Sequence, residues 1–423
     1  MLDIKFIQQN AQQLKKAVAE KQMDPTLVDS LLSVDEKRRS LIATVEEIRK
    51  KANEHSSGIK GRKPTEEEIA TGKKLKEELS AVEPELKTIE EEFRTLMLQI
   101  PNPASSDTPI GKDETGNVVV RTVGEKPTFS FTPLQHHELA ENLGMYDSEK
   151  AVAIGGRRAY ILKGDLMMLE MALHHFALTL MVQKGFTPMT VPWMVNKEAL
   201  WGTGYFPWGI EDHYTTQDGQ GLIGTSEVSL TAYHQNTVLS EKDLPIKMVG
   251  ISPCFRREVG SYGKDTKGFF RVHQFTKVEQ VVLTVADEEV TREWHEKMVA
   301  FSERLLSKLG LHYQVLSMCT GDMGAGQRKK YDIETWFPGQ GAFRETHSAS
   351  YFNDFQSRRL NMRYKASDGT IKHVYTLNNT VAATPRLLAG VIENYQQEDG
   401  SIQVPEVLQA FVGKKTITRS EEK

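Results

Sequence analysis

The chain has 423 residues, 26% of them charged and 39% hydrophobic, with a formal net charge of -4. That balance excludes a disordered chain and a uniformly basic nucleic-acid coat, and the length exceeds the roughly 250 to 300 residues one core can fill, so two domains are expected. The two cysteines, Cys254 and Cys319, are too few for a disulfide framework or a zinc knuckle and point to a reducing cytoplasm.

The opening "MLDIKFIQQNAQQLKKAVAEKQ" has no apolar stretch behind a basic head, and no window approaches the roughly 18 apolar residues of a membrane span, so neither a leader nor a membrane partner is predicted. From Leu31, apolar residues step by three and four through Val34, Leu41, Val45, Ile48 and Ala52, with Arg38 the one intruder. Leu75, Leu79, Val82, Leu86, Ile89, Phe93, Leu96 and Ile100 repeat the pattern. These are two heptad seams, joined by "NEHSSGIKGRKPTEEE", and they predict an antiparallel two-helix coiled-coil arm. Gly58 and Gly61 would turn the chain, Pro64 would open the second helix, and Glu66, Glu67 and Glu68 would occupy its first turn. The narrow seam and charged outer faces predict a hairpin that projects into solvent. Lys50, Lys51, Lys60, Arg62 and Lys63 cluster near its tip, as a phosphate-contacting patch or as a solvated helix face. Pro84 interrupts the second seam and predicts a kink.

"IPNPASSDTPIGKDETGN" breaks every periodicity and reads as the linker between a helical domain, 1–104, and a second domain, 105–423. Beyond it, "KGDLMMLEMALHHFALTLMVQKG" and "VADEEVTREWHEKMVAFSERLLSKLG" have helical spacing. The runs "FTPMTVPWMV", "GLIGT", "KMVGISPCF", "VEQVVLTV", "HYQVLSM", "YDIETWF" and "NMRYKA" read as strands. Strands outnumber crossover helices, so the class is α+β with a mainly antiparallel sheet. No Walker motif and no strand-linked GxGxxG occurs.

The stretch "FRREVGSYGKDTKGFFRVHQFTKVEQ", 255–280, reads as strand, long loop and strand. Side chains two apart share a face, so Arg256 and Glu258 point the same way while Arg271, His273, Phe275, Lys277 and Glu279 form one opposing row. A solvated hairpin is the plain alternative. A structural ladder would carry Val, Ile or Thr on that face, whereas guanidiniums, an aromatic ring and carboxylates suit a polyphosphate beside an aromatic base and an ammonium.

Together these landmarks resemble the class II aminoacyl-tRNA synthetases, and within them the bacterial type of the seryl-tRNA synthetase family. "GFTPMTVPWMV" resembles the first class motif, with its proline at Pro192. "FRREVGSYGKDTKGFFRVHQFTKVE" resembles the second, and "TLNNTVAATPRLLAGVIENYQ" the third, carrying Arg386. "MLDIKFI", "IPNP", "GTGYFP", "GTSEVSLT" and "DIETWFPGQGAFRETHSAS" follow the family's order. The resemblance implies an antiparallel catalytic sheet, a homodimer built through the first motif, and activation of L-serine with ATP followed by transfer to serine tRNA. Selenocysteine tRNA is a further candidate substrate.

It also implies residue roles. Arg256 would contact the α-phosphate and the serine carboxylate, Glu258 the adenine edge and Arg271 the outer phosphates, while Phe275 stacks on adenine. Arg386 would cover the other adenine face and reach the γ-phosphate. Arg256, Arg271 and Arg386 are thus the catalytic set, and Arg257, Val272, Thr346 and His347 complete the ATP site. Glu345 and Ser348 take the positions of the family's Mg2+ ligands, and no zinc is implied. Glu279 would accept the serine ammonium, Thr225, Ser226 and Glu227 would line the pocket, and Thr380 would read the hydroxyl. A pocket built to bond a hydroxyl rejects an analogue that lacks it, which separates serine from alanine. His273 is expected to be structural. The five basic tip residues would grip tRNA. The chain departs from the family in carrying Asn379, Val381 and Pro385 where glycines are usual, and Thr346, His347, Ala349 and Tyr351 around Glu345 and Ser348. The short stretch after Arg386 leaves no room for a C-terminal anticodon-binding domain. The alternative activity is a serine-activating homologue that loads a non-tRNA carrier.

Overall fold

The computed structural model describes residues 1–419 apart from 261, 262, 264 and 266, which belong to the loop of the second motif. The chain divides into two compact units, 1–103 and the residues from Ala104 onward. In the first unit, short helices α1 (Ile4–Gln9) and α2 (Ala11–Glu20) precede two long ones, α3 (Thr26–Ile59) and α4 (Glu66–Gln99). Arg38 meets Phe93, Arg49 meets Glu83 and His55 meets Glu68, so early residues of α3 face late residues of α4 and the pair is antiparallel. Val28, Leu31, Val34, Val45 and Ile48 are buried on α3, whereas most of the α4 seam is half-buried, as expected where no third layer covers a helix pair.

Arg38, the intruder in the seam, lies 4.5 Å from the Phe93 ring centroid and 3.2 Å from Asp35. A guanidinium over an aromatic face fills a seam position where a bare charge would not. Asp35 is buried and accepts from Gln8, Arg38 and Arg39, which fastens α1 to α3. At the tip the structure corrects two expectations. Gly58 lies within α3, and it is at Gly61, φ 92, that the chain turns. Thr65, not Pro64, opens α4: its hydroxyl accepts from the Glu68 amide while the Glu68 carboxylate accepts from the Thr65 amide. This capping box satisfies two orphan donors, and proline, lacking both a side-chain hydroxyl and an N–H, could supply neither bond. α4 continues through Pro84 as one helix, with Pro84 exposed.

The second unit is built on an eight-stranded sheet. Its strands are β1 (Val118–Val123), β2 (Thr187–Met189), β3 (Ile246–Phe255), β4 (Gln274–Thr284), β5 (Tyr313–Ser317), β6 (Lys329–Phe337), β7 (Ala342–Asn353) and β8 (Tyr375–Thr384). They lie in the order β1-β5-β6-β7-β8-β4-β3-β2. Every neighbouring pair is antiparallel except β2 with β3. Helices α5 (Gly164–Gln183), α7 (Glu288–Lys308) and α9 (Arg386–Asn394) share the main core with the sheet, whereas α6 (Glu227–Ala232) and α8 (Phe355–Leu360) contribute to a second apolar cluster and pack against β4 and β8 respectively.

The strand period of two separates core from cavity. Val278, Gln280 and Val282 turn to the helices, and the Gln280 amide donates to the Met298 carbonyl on α7. Phe275, Lys277 and Glu279 turn to the opposite face, as do Asn378 and Thr380 on β8. The strand β7 was not predicted, because its Arg, Glu, Thr, His and Ser residues hide the alternation that its two flanking strands impose. Among the described residues α5 alone has the length and apolarity of a membrane span, a window the sequence had not suggested. Its Leu166, Leu169, Leu173, Ala177, Leu180 and Met181 are in the core, while Met167, Met168 and Met171 remain exposed.

Candidate active site

A cavity of about 560 Å³ opens over the middle of the sheet, within the size range of small-ligand sites. At one end, β4 and β8 are paired with Glu279 opposite Thr380, and a register shift follows at once between Thr380 and Ala382. The Thr380 hydroxyl donates to Glu279 Oε2 at 3.3 Å, and Lys277 Nζ lies 2.6 Å from the same oxygen. Glu227, on the first turn of α6, is held by the Tyr205 hydroxyl at 2.6 Å and the Gln356 amide at 2.8 Å. Gln356 in turn accepts from Thr376 and donates to the Thr203 carbonyl, so its amide orientation is fixed.

At the other end, β3 and β4 extend past their strand limits, with the Arg256 amide donating to the His273 carbonyl at 2.9 Å. The Arg256 guanidinium lies 5.2 Å from the Phe275 ring centroid and donates to the Gly224 carbonyl. Glu258 adopts a left-handed backbone, φ 56, which costs a non-glycine residue on the order of 1 kcal/mol or more, and its carboxylate lies 2.9 Å from Arg271. Arg271 also meets Asp265 at 3.3 Å. Arg386, the first residue of α9, sits 4.8 Å from the Phe270 ring and 3.2 Å from Glu345, while Arg344 lies 4.3 Å from the same ring.

Between the two ends, Ser348 on β7 is opposite Asp332 on β6. Burial raises Glu345, but the charges of Arg386, Lys330 and Arg256 outweigh it and hold its carboxyl at about 2. Burial pushes Asp332 up to about 6 against the pull of Lys330, 2.8 Å away. Asp332 Oδ1 is buried without a hydrogen-bond partner. Glu345 and Ser348 thus stand beside a further carboxylate oxygen in a set of hard donors, which fits a divalent cation that takes one or two protein oxygens and completes its shell from phosphates and water. Among the described residues no group of three or more His, Cys, Asp or Glu is arranged for a metal.

Of the sequence-predicted residues, Arg256, Glu258, Arg271, Val272, Phe275, Glu345, Thr346, Ser348 and Arg386 line the cavity, together with Glu227, Glu279 and Thr380. Four others do not. Thr225 is buried and accepts the Glu227 amide, and Ser226 Oγ is buried and unpartnered, packed toward Gly250. Arg257 donates to the Glu211 carbonyl on the outside. His347 is turned into the core, with Nε2 2.9 Å from the Val381 carbonyl and Nδ1 2.9 Å from the Thr346 hydroxyl, and burial lowers it to about 4, so it is neutral. His273 leaves the predicted row, because its ring bonds the Arg256 carbonyl and faces Tyr214 in a second cavity.

The departures from the family, apart from Thr346 and Pro385, are absorbed on the core side. His347 and Val381 bond each other, and the Asn379 amide donates to the Met298 carbonyl and the Ser302 hydroxyl on α7. Only Pro385 of the three third-motif substitutions reaches the cavity. Sequence spacing missed Tyr205, Gln356, Lys330, Asp332, Phe270 and Arg344. Lys330 and Asp332 alone carried a signal, since they alternate on one face of the predicted strand "YDIETWF" and the residue before it.

Residues 1–104 match the model of the seryl-tRNA synthetase N-terminal domain, and residues 212–395 match that of the class II tRNA synthetase core domain for G, H, P, S and T. The chain is 45% identical over 422 residues to a serine–tRNA ligase of Sinorhizobium fredii and 41% identical over 416 residues to one of Deinococcus radiodurans, covering 98% of each chain in both comparisons. Among solved structures it superposes on seryl-tRNA synthetase from Pyrococcus horikoshii complexed with ATP, with a TM-score of 0.92, 37% identity and full coverage of both chains. The cytoplasmic serine-tRNA ligase of Naegleria fowleri in complex with AMP gives 0.86 at 33% identity, covering 97% of this chain and 96% of that one.

Proposed function

This chain belongs to the seryl-tRNA synthetase family of class II, and from that membership we propose how its own residues carry the family's reaction. The protein activates L-serine with ATP to seryl-adenylate and transfers the serine to tRNA. The observation that carries the residue assignment is the cavity itself. It sets an acidic, hydroxyl-bearing end, Glu227, Glu279 and Thr380, beside an end of guanidiniums and aromatic rings, Arg256, Phe275, Arg271 and Arg386.

The serine carboxylate is a nucleophile at neutral pH, so the first step asks for alignment and charge neutralisation at phosphorus rather than for a general base. Glu279 takes the serine ammonium and Thr380 bonds the hydroxyl. Arg256, fixed by Gly224 and the Phe275 ring, faces the serine carboxylate and the α-phosphate. Arg271 and Arg386 are paired with Glu258, Asp265 and Glu345. These carboxylates hold the guanidiniums where the outer phosphates arrive, and ATP replaces them with phosphate oxygens. Glu258 is then released to the adenine edge.

A divalent metal such as Mg2+ accompanies ATP in class II synthetases, and we assign Glu345 and Ser348 to hold it, where it would neutralise charge on the phosphates. The exposed Met167, Met168 and Met171 of α5 support a homodimer. The two free cysteines support a cytoplasmic setting. The helical unit is assigned to the tRNA, with Lys50, Lys51, Lys60, Arg62 and Lys63 as phosphate contacts. Lys51 is paired with Glu47 and Arg62 with Glu68, while Lys60 and Lys63 are exposed. Pyrophosphate exchange with each amino acid in turn tests the activity. Serine is expected to support the fastest exchange, and a faster rate with any other amino acid would overturn the assignment.

A further inference from the structure

Lys277 has no part in the steps above, yet it is the most deeply placed cation at the serine end of the cavity. It is 5% exposed and its partner Glu279 2% exposed. They sit two apart on β4 and therefore share the cavity face. Both donors to Glu279, Lys277 Nζ at 2.6 Å and Thr380 Oγ1 at 3.3 Å, go to Oε2. Among the described residues no hydrogen bond goes to Oε1, and that atom is not among the buried unpartnered ones.

We propose that Lys277 is a positioning residue for serine: its ammonium, with the Thr380 hydroxyl, pins Oε2 of Glu279 so that Oε1 faces the incoming serine ammonium as a charged acceptor. The inference rests on the assignment of Glu279 as the ammonium site. A carboxyl removed from water without a cation beside it takes up a proton, and a neutral acid is a poor acceptor for an ammonium. Burial pushes Glu279 above the usual carboxylate range; the charge of Lys277 and then its hydrogen bond pull it back down, Glu227 adds to the rise and Thr380 opposes it.

The other groups facing Glu279 do not replace Lys277. Glu227 on α6 carries the same charge as Glu279. Tyr205 and Cys254 are raised by burial and neutral. Asn378 and Thr380 on β8 are uncharged. Arg256, just beyond β3, is committed to Gly224 and the Phe275 ring. Lys277 is the one cation within hydrogen-bond distance of Glu279 among the described residues.

Lys277→Met keeps the stem and removes the charge, and Lys277→Gln keeps a donor without the charge. In pyrophosphate exchange from about pH 6 to about pH 9, each variant is expected to show a serine KM raised about tenfold or more at neutral pH. That KM falls as the pH rises and Glu279 ionises, because each unit by which its pKa exceeds the assay pH removes about tenfold of the charged form. The ATP KM is expected to stay within about twofold, a change worth only about 0.4 kcal/mol. Lys277→Arg is expected to restore a flat profile. An unchanged serine KM, or one raised equally with the ATP KM at every pH, would overturn the inference. Loss of folded protein in both neutral variants while Lys277→Arg folds would also count against it, because the lysine would then hold the fold and not the subsite. Glu279→Gln separates this from the underlying assignment: it should raise the serine KM alone and without pH dependence, and no rise there would remove Glu279 itself from the ammonium site.

Discussion

The two units use charge in opposite ways. Apart from buried Asp35 with Arg38 and Arg39, ion pairs of the helical unit run along the outside of α3 and α4, as Lys51 with Glu47, Lys73 with Glu77 and Lys74 with Glu78, with every one of these six side chains between 45% and 78% exposed. Such pairs contribute roughly 0 to 1 kcal/mol each and are screened by salt. In the catalytic unit, Lys277 with Glu279 and Lys330 with Asp332 are no more than 17% exposed. Removing one partner from a buried pair costs roughly 3 to 5 kcal/mol because the other is left without water or a counter-ion. The exposed pairs leave cations free to exchange a neighbouring glutamate for a phosphate at little cost. The buried pairs hold each group at one place, which is what a reaction at a single phosphorus atom requires.

The largest expected effect that separates the units is at Arg256. Arg256→Ala should slow serine-dependent pyrophosphate exchange roughly 100- to 1,000-fold, the usual cost of losing one contact to developing charge, while tRNA binding by the helical unit persists. Next, Glu279→Ala should raise the serine KM roughly ten- to a hundredfold and leave the ATP KM nearly unchanged, since an ammonium in a buried pocket would lose its charged partner. Equal effects on both substrates would show that the serine and nucleotide ends are not distinct. Thr380→Val should lower discrimination between serine and alanine by roughly tenfold, measured as the ratio of kcat/KM values. Its hydroxyl also bonds Glu279, so an unchanged ratio with a raised serine KM would assign Thr380 to positioning alone.

The contrast also explains what was legible in the sequence. α3 and α4 could be read from periodicity because a two-helix seam imposes the same spacing over many turns, and Arg38 looked anomalous only because its partner Phe93 is far along the chain. The strands β3 and β4 were legible because adjacent strands in sequence pair directly, with Gly250 opposite Glu279. β7 was not, since its core face carries the polar His347 and its cavity face Glu345, Thr346 and Ser348. Nor were the bonds from Tyr205 and Gln356 to Glu227, which join residues 22 and 129 positions apart and leave no periodic trace. Thr225 and Ser226 follow the family's order without lining the cavity, because the first turn of α6 points only Glu227 toward it.

The smallest effect is confined to the helical unit. Thr65→Ala removes the hydroxyl that accepts the Glu68 amide and should lower the stability of α4 by about 1 kcal/mol in thermal unfolding, with pyrophosphate exchange unchanged. A drop in exchange as large as the drop in stability would mean that the two units do not behave independently.

The division of labour is tested most directly by replacing residues 52–71 with a short glycine-containing turn and assaying both half-reactions of the same protein. Serine-dependent pyrophosphate exchange should stay within about twofold of the full chain, a change worth about 0.4 kcal/mol. tRNA charging at limiting tRNA should fall sharply, and the salt dependence of tRNA binding should flatten as phosphate contacts are lost. Full charging by the shortened protein, or loss of pyrophosphate exchange together with charging, would contradict the account.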